Sequence, residues 1–419
     1  MRRYLRILRG RRALLPFAAA LVGRLPVAMT PLGIVLLVQG IRGSYSIAGV
    51  VTAAFAVGTA AATPLWGGLV DRLGQPKVIA PTSAVASILL AVLALRAVAG
   101  AGDVELTALS GAVGVAFPPI SPAMRGAWRM ILDHEEDVRA AYALDAVTME
   151  TIYVGGPLLV SLLLVVTPPA VPLLVTAACL AIGGVGYCLT GAARAWRAEP
   201  HVPDADGPRG RTRGISPLRV GAVTTVLAVA AVIAIGFGQI DVTMAATARQ
   251  TLGAPAKVGL LFMAISGGSA IGGLLYGARR WPGTEAARLP YVVAGFATGL
   301  VLLAVVVAAI VPPLWLLLSV LFLAGLWIAP MVIIAGNLVD HYSPGDRLNE
   351  AQSWMNTGFT SGGAAGTAVA GWLVDTGGPA WSSAGAAAAM TVATLVSVAG
   401  QRVWATTRDQ LAPDGVRST

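Results

Sequence analysis

The sequence predicts an all-α integral membrane protein, with twelve transmembrane helices in two pseudo-symmetric six-helix bundles. Three observations predict it. Hydrophobic residues make up 56% of the chain and charged residues only 12%, about half the charge of a soluble globular protein, and the mean hydropathy is +0.76. So few charges cannot build a water-facing surface without large exposed apolar patches, whereas lipid accepts apolar side chains on the outside. Apolar stretches also recur at lengths near the roughly 20 residues that a helix needs to cross about 30 Å of hydrocarbon. Finally, Lys and Arg concentrate in alternate connecting segments.

Span 1 is expected over 13–39. The basic start MRRYLRILRGRR looks like the n-region of a signal peptide, but the apolar stretch behind it is too long and contains Arg24, so it reads as a retained helix. Spans 2 to 6 follow over 46–70, 78–99, 106–130, 140–166 and 169–190. Gly191–Pro217 is polar and rich in Pro, Gly, Asp and Arg, as a linker should be. Spans 7 to 12 are expected over 218–247, 257–278, 288–311, 313–339, 349–374 and 380–405. The expected organisation is an N-terminal bundle (1–190), a cytoplasmic linker (191–217), a C-terminal bundle (218–405) and a polar tail (406–419). Thr167-Pro168-Pro169 and Val311-Pro312-Pro313 are near-minimal connections, which leaves no room for a large extracellular domain. Cys179 and Cys188 share span 6, so they form neither a disulfide framework nor a metal cluster.

With a cytoplasmic N-terminus, 24 of the 29 Lys and Arg residues fall on the inner side. Arg42, Arg96, Arg249 and Lys257 fall on the outer side, and Arg24 lies within a span. That bias places both termini in the cytoplasm of a multi-pass protein of the cell (plasma or inner) membrane. The net charge of +9 belongs to these loops rather than to a nucleic-acid surface. Trp66, Trp281, Trp315, Trp372, Trp381 and Trp404 sit near predicted helix ends, as interfacial anchors do.

The two halves carry a weak repeat. Gly67-Gly68-Leu69 near the end of span 2 is matched 205 residues later by Gly272-Gly273-Leu274 near the end of span 8. Gly155-Gly156 in span 5 is matched 207 residues later by Gly362-Gly363 in span 11. Similar offsets at two places point to duplication.

Residues 67–77, GGLVDRLGQPK, resemble the loop between helices 2 and 3 of the major facilitator superfamily. Gly67, Asp71, Arg72, Gly74 and Lys77 match its pattern, while Gln75 and Pro76 stand where that family usually has a basic residue. The resemblance implies that these five residues latch the two halves on the cytoplasmic side and release as the protein changes state. A plain positive-inside turn is the other reading. In the second half Tyr276 replaces the acidic residue. Gly155-Gly156-Pro157 looks like part of the Gly-Pro motif of proton-driven exporters in the same superfamily, or else marks a close-packed, kinked helix. The arginine that many proton-coupled members carry in the outer half of helix 4 is absent; Arg125 lies toward the other end.

Charge inside hydrocarbon costs about 2.5–3.5 kcal/mol or more, so ionisable residues within spans are functional candidates. Arg24 in span 1 and Glu150 in span 5 both lie about 16 Å from the inner end of their helices. They are expected to pair, with Glu150 carrying a proton that alternates with substrate; a permanent structural ion pair is the alternative. Asp241 follows Gly236-Phe237-Gly238-Gln239 in span 7 and could bind a cation, a proton or a basic group of the substrate, or simply sit at a wet rim. Asp145 lies near the end of span 5 and reads as an interface residue. Gln239, Asn337 and Asn356 are cavity candidates, or amides bonding across helices. Trp327 and Trp354 lie deeper than the other tryptophans, for stacking or packing. Pro26, Pro31, Pro118, Pro119 and Pro122 are expected to interrupt spans 1 and 4, either marking a transport site or forming static kinks.

No GxxxxGK[ST], HExxH or convincing GxSxG occurs, and His134, His201 and His341 are dispersed, so no ATPase site, enzyme, cofactor or metal is expected. The resemblance implies a secondary transporter, acting as a monomer by alternating access. The expected activity is proton-coupled export of a small organic compound. A nutrient importer and a non-transporting sensor or scaffold are the rivals.

Overall fold

The computed structural model describes residues 7, 11–132, 134–195, 216–279, 281–309, 312–343 and 348–411. These are almost entirely helical, with eleven helical stretches long and apolar enough to cross a membrane. The last, Ala351–Thr407, has 57 residues, about 85 Å of helix and nearly three hydrocarbon thicknesses. It is divided at Gly378, whose φ of 78° leaves helical space just before Pro379. The stretch therefore supplies two crossings and brings the total to the expected twelve. Contacts gather the chain into two compact units, Met1–Ala205 with Met244–Met263, and Asp206–Thr243 with Ala264–Thr419.

In the first unit, α1 (Arg11–Arg42), α2 (Tyr45–Leu73) and α3 (Gln75–Val98) supply spans 1 to 3. Span 4 is split into α4 (Asp103–Ala116) and α5 (Ile120–Ile131) across Phe117-Pro118-Pro119. Next come α6 (Glu135–Val166), α7 (Val171–Cys188) and the short α8 (Gly191–Ala195). The prolines break span 4 as expected, but α1 runs unbroken through Pro16, Pro26 and Pro31. A proline removes one backbone donor, and tight neighbours let a membrane helix absorb that loss. Small residues bring the helices close where lipid offers no hydrophobic drive for association. A Cβ on Gly183 of α7 would overlap the Gly23 backbone of α1, and one on Gly58 of α2 would overlap the Gly111 carbonyl of α4. One on Gly156 of α6 would lie 2.9 Å from Ala28 Cβ of α1.

Two of the four basic residues on the side poor in Lys and Arg are neutralised locally. Arg42 pairs with Asp103 at 2.9 Å and Arg96 with Glu105 at 2.6 Å. The first unit also includes the hairpin 244–263. There the Tyr45 hydroxyl donates to Ala245 O at 3.4 Å, and Gly259 N–H donates to Ser161 Oγ at 2.6 Å.

The second unit opens with α9 (Gly221–Ala246) as far as Thr243; the end of α9 and the π-type turn at Thr247–Thr251 belong to the hairpin of the first unit. Next in the chain come α10 (Val258–Ala278), α11 (Glu285–Ala309), α12 (Leu314–Gly325), α13 (Ile328–Tyr342) and α14 (Leu348–Leu411). The polar tail is thus helical as far as Leu411. Glycine crossings repeat those of the first unit. Gly238 meets Gly363, a Cβ on Gly362 would lie 2.9 Å from Ala234 Cβ, and Gly268 meets the Phe322 carbonyl. Spans 1 and 5 therefore cross as 7 and 11 do, and spans 2 and 4 as 8 and 10 do. The matched glycine pairs of spans 5 and 11 lie at equivalent crossings.

Span 10, expected as one helix over 313–339, is interrupted at Leu326-Trp327. Trp327 N–H donates to Ala324 O, three residues back, in a tightened turn. This is the counterpart of the break in span 4, but it lacks a proline to announce it. Trp404 is also not an interfacial anchor. It is 1% exposed, and its indole N–H donates to Ala222 O at 3.1 Å.

Candidate functional site

The first unit holds a buried ion pair. Arg24 of α1 donates from Nη1 to Asp145 Oδ1 of α6 at 2.5 Å, with the two side chains 1% and 2% exposed. Its Nη2 donates to Ser121 O at 3.2 Å, in the first turn of α5 just past the break in span 4. Arg125 Nε approaches the other carboxylate oxygen, Oδ2, at 3.6 Å from a largely exposed position. Arg24 Nε and Asp145 Oδ2 have no hydrogen-bond partner. One carboxylate thus stands between two guanidiniums, with hydrogen-bonding capacity left over.

Among the described residues the carboxylate that meets Arg24 is Asp145; the side chain of Glu150, the expected partner, lies outside the described residues, as does that of Asp71. Asp145 is no interface residue. Span 5 is expected from residue 140, but Glu135, Glu136 and Asp137 form the first turn of α6. Acidic side chains suit the positive end of a helix dipole. Asp145 is therefore ten residues into its helix, about 15 Å. The acidic triplet was the signal available in the sequence.

At the loop motif, Gly74 closes α2 and opens α3 with φ 89°, in the region that favours glycine. Its N–H donates to Val70 O at 2.9 Å. Arg72 and Lys77 are exposed and Gly67 is half-buried. Gln75, the departure from the motif, is buried. Its Nε2 donates to Ala123 O at 3.0 Å, and its Oε1 accepts from the Tyr187 hydroxyl at 2.8 Å. The amide ties the loop to α5 and α7, a role no feature of the sequence announces.

In the second unit, Gln239 is buried, and its Oε1 lacks a partner. One turn on, the Thr243 hydroxyl shares a hydrogen bond with Ser382 Oγ at 2.7 Å. Asp241 is half-buried. Asn337 is exposed and donates to Glu285 Oε1 at 2.9 Å, on the wall of a cavity of about 810 Å³ that Asp340, His341 and Gln401 also line. Gln239 and Asn356 do not line that cavity, so the three amides do not form one lining there. Trp327 and Trp354 are 40% and 43% exposed, not in the core. Among the described residues, no group of three His, Cys, Asp or Glu could hold a metal ion.

Twelve spans, broken helices at equivalent places in two halves and a buried ion pair beside one break define a transporter-type membrane fold. The Major Facilitator Superfamily model matches residues 16–298, and the chain belongs to that superfamily. No curated protein matches the sequence. Among solved structures the chain is similar to a point mutant of the nucleoside transporter NupG, with 13% identity and a TM-score of 0.70 over 92% of this chain and 100% of that one. It is similar to a bacterial homologue of the iron transporter ferroportin in an inward-facing state, with 14% identity and a TM-score of 0.70 over 92% and 98%. It is also similar to an auto-inhibited POT family peptide transporter, with 15% identity and a TM-score of 0.69 over 98% and 99%. At such identities the likeness shows the fold alone.

Proposed function

We propose that this chain is a secondary active transporter that exports a small organic compound in exchange for protons. The observation that carries this reading is the buried Arg24–Asp145 pair beside the broken span 4. Buried ion pairs contribute little net stability, and this one leaves polar atoms unsatisfied. A carboxylate held by Arg24 in one state and by a proton in another couples proton movement to that of a substrate. Glu150 and Asp241 are the further coupling groups, Gln239, Asn337 and Asn356 contribute at separate points of the path, and Gly67, Asp71, Arg72, Gly74 and Lys77 form the latch. Residues 1–190 and 218–405 are the two rocking halves, joined by 191–217. The protein works as a monomer in the cell membrane with both termini in the cytoplasm, and it is not an enzyme.

One observation favours a second reading. Arg24, Arg125 and Asp145 together carry a net charge of +1, which suits a substrate with an anionic group and an importer as well as an exporter.

Everted vesicles with an acid interior test the proposal, using wild type, Asp145→Asn and Glu150→Gln against labelled drugs, dyes and metabolites. Gradient-driven uptake that is lost in the variants supports proton-coupled export. Uptake only in right-side-out vesicles with an acid exterior supports the importer. Absence of flux in both orientations across anionic, cationic and neutral compounds supports a sensor or scaffold.

A further inference from the structure

The second half departs from the loop motif at Tyr276, and this residue anchors a site of its own. Its ring stacks on Trp281, with centroids 5.9 Å apart and planes 18° apart. Arg288 donates from Nη1 to the Tyr276 hydroxyl at 2.9 Å, and its guanidinium lies 5.5 Å from the centre of the Tyr276 ring. The Arg279 guanidinium lies 5.3 Å from the centre of the Trp281 ring. Among the described residues neither arginine is in an ion pair.

Below this cluster runs an apolar groove of about 310 Å³ between α10, α11 and the break in span 10, lined by Leu275, Val292, Leu326, Trp327 and Pro330. Arg288 is three residues into α11, about 5 Å from its start. Gly295, against which the Trp327 ring lies, is ten residues in, about 15 Å. The groove thus begins among cations and aromatic rings at headgroup level and descends toward the hydrocarbon. It is open on the outside, where Leu275 is 60% and Tyr291 77% exposed.

We infer that this groove holds one anionic phospholipid, with its phosphate on Arg288 and Arg279 and an acyl chain along Leu275, Leu326 and Pro330. The charge favours that occupant, since unpaired guanidiniums recognise phosphate oxygens by charge-assisted hydrogen bonds. The interruption at Leu326-Trp327 creates the deep end of the groove, so the lipid sits against the counterpart of the break that bears the Arg24–Asp145 pair.

The test is native mass spectrometry of the purified full chain after incubation with phosphatidylglycerol or phosphatidylcholine, with a photoactivatable phosphatidylglycerol to map the position. Wild type should retain one phosphatidylglycerol in preference to phosphatidylcholine and cross-link within 275–292 or 326–330. Arg279→Gln and Arg288→Gln should each weaken retention about fivefold, the effect of one cation near a membrane surface. Arg288→Lys should keep most of it. Leu275→Trp, which fills the groove and leaves both arginines in place, should also reduce retention and shows whether the groove itself matters. Equal retention of the two lipids, cross-links elsewhere, or retention unchanged in the double Arg279→Gln, Arg288→Gln variant would overturn the inference. So would a dimer that Leu275→Trp abolishes, because a second copy would then be the occupant.

Discussion

Arg24 and Asp145 meet at 2.5 Å with both side chains almost wholly buried, although 121 residues separate them in the chain. Removing one partner leaves the other as an uncompensated buried charge. Asp145→Asn should therefore cost about 3–5 kcal/mol of stability. Arg24→Met combined with Asp145→Leu removes both charges and should recover most of the melting temperature in detergent. If the pair also couples transport, the double variant stays inactive in vesicle flux although it is folded. A double variant that regains stability and flux together would reduce the pair to scaffolding.

Gly74 holds φ 89° between α2 and α3, and no side chain adopts that conformation without strain. Gly74→Ala should destabilise the protein by about 1–3 kcal/mol, the cost of a Cβ at positive φ with an extended ψ of 155°. Gly67→Ala is the control, because a Cβ there meets open space. Thermal unfolding of the two variants reads the difference directly; equal melting temperatures would contradict it.

The matched glycines should both resist a side chain, Gly362 the more strongly, because a Cβ there would also overlap the Ala231 carbonyl oxygen. A Cβ at Gly156 or at Gly362 comes to 2.9 Å from the Cβ of Ala28 or of Ala234. Gly156→Val and Gly362→Val each force a tight helix crossing apart, at about 1–3 kcal/mol for overpacking. Gly155→Val, where the Cβ position is open, should be nearly neutral. Stability measured by fluorescence-detected size exclusion after heating would show two sensitive sites and one tolerant one. A tolerant Gly362 would break the proposed symmetry.

Much of this fold was legible because lipid makes composition decisive. Span length, basic loops and glycine pairs each report a constraint that acts locally along the chain. The site was less legible because it depends on where helices begin and break. Five residues of error at the start of α6 moved Asp145 from the core to the rim. The break in span 4 announces itself with Pro118-Pro119, whereas the one in span 10 is a tightened turn at Leu326-Trp327 with no residue type that demands it. Conversely, the prolines of α1 promised a break that tight packing against α7 and α6 suppresses. Gln75 looked like a flaw in a motif, and only the fold shows the carbonyl and hydroxyl that its amide joins.

The contact between Ser161 of α6 and Gly259 of α10 offers a direct test of alternating access. Gly259 N–H donates to Ser161 Oγ at 2.6 Å, and a Cβ on Gly259 would lie 2.9 Å from Ser161 Cβ. A disulfide needs about 3.5–4.5 Å between Cβ atoms, so a shift of roughly one ångström seats a bridge there. The free cysteines Cys179 and Cys188 are first replaced by alanine. Ser161→Cys with Gly259→Cys should then cross-link under mild oxidation. If transport requires the hairpin 244–263 to leave α6 in each cycle, oxidation should abolish flux and a reductant should restore it, while each single-cysteine variant stays active throughout. Full flux from the cross-linked protein would show that the hairpin and α6 move as one body and would place the gate elsewhere.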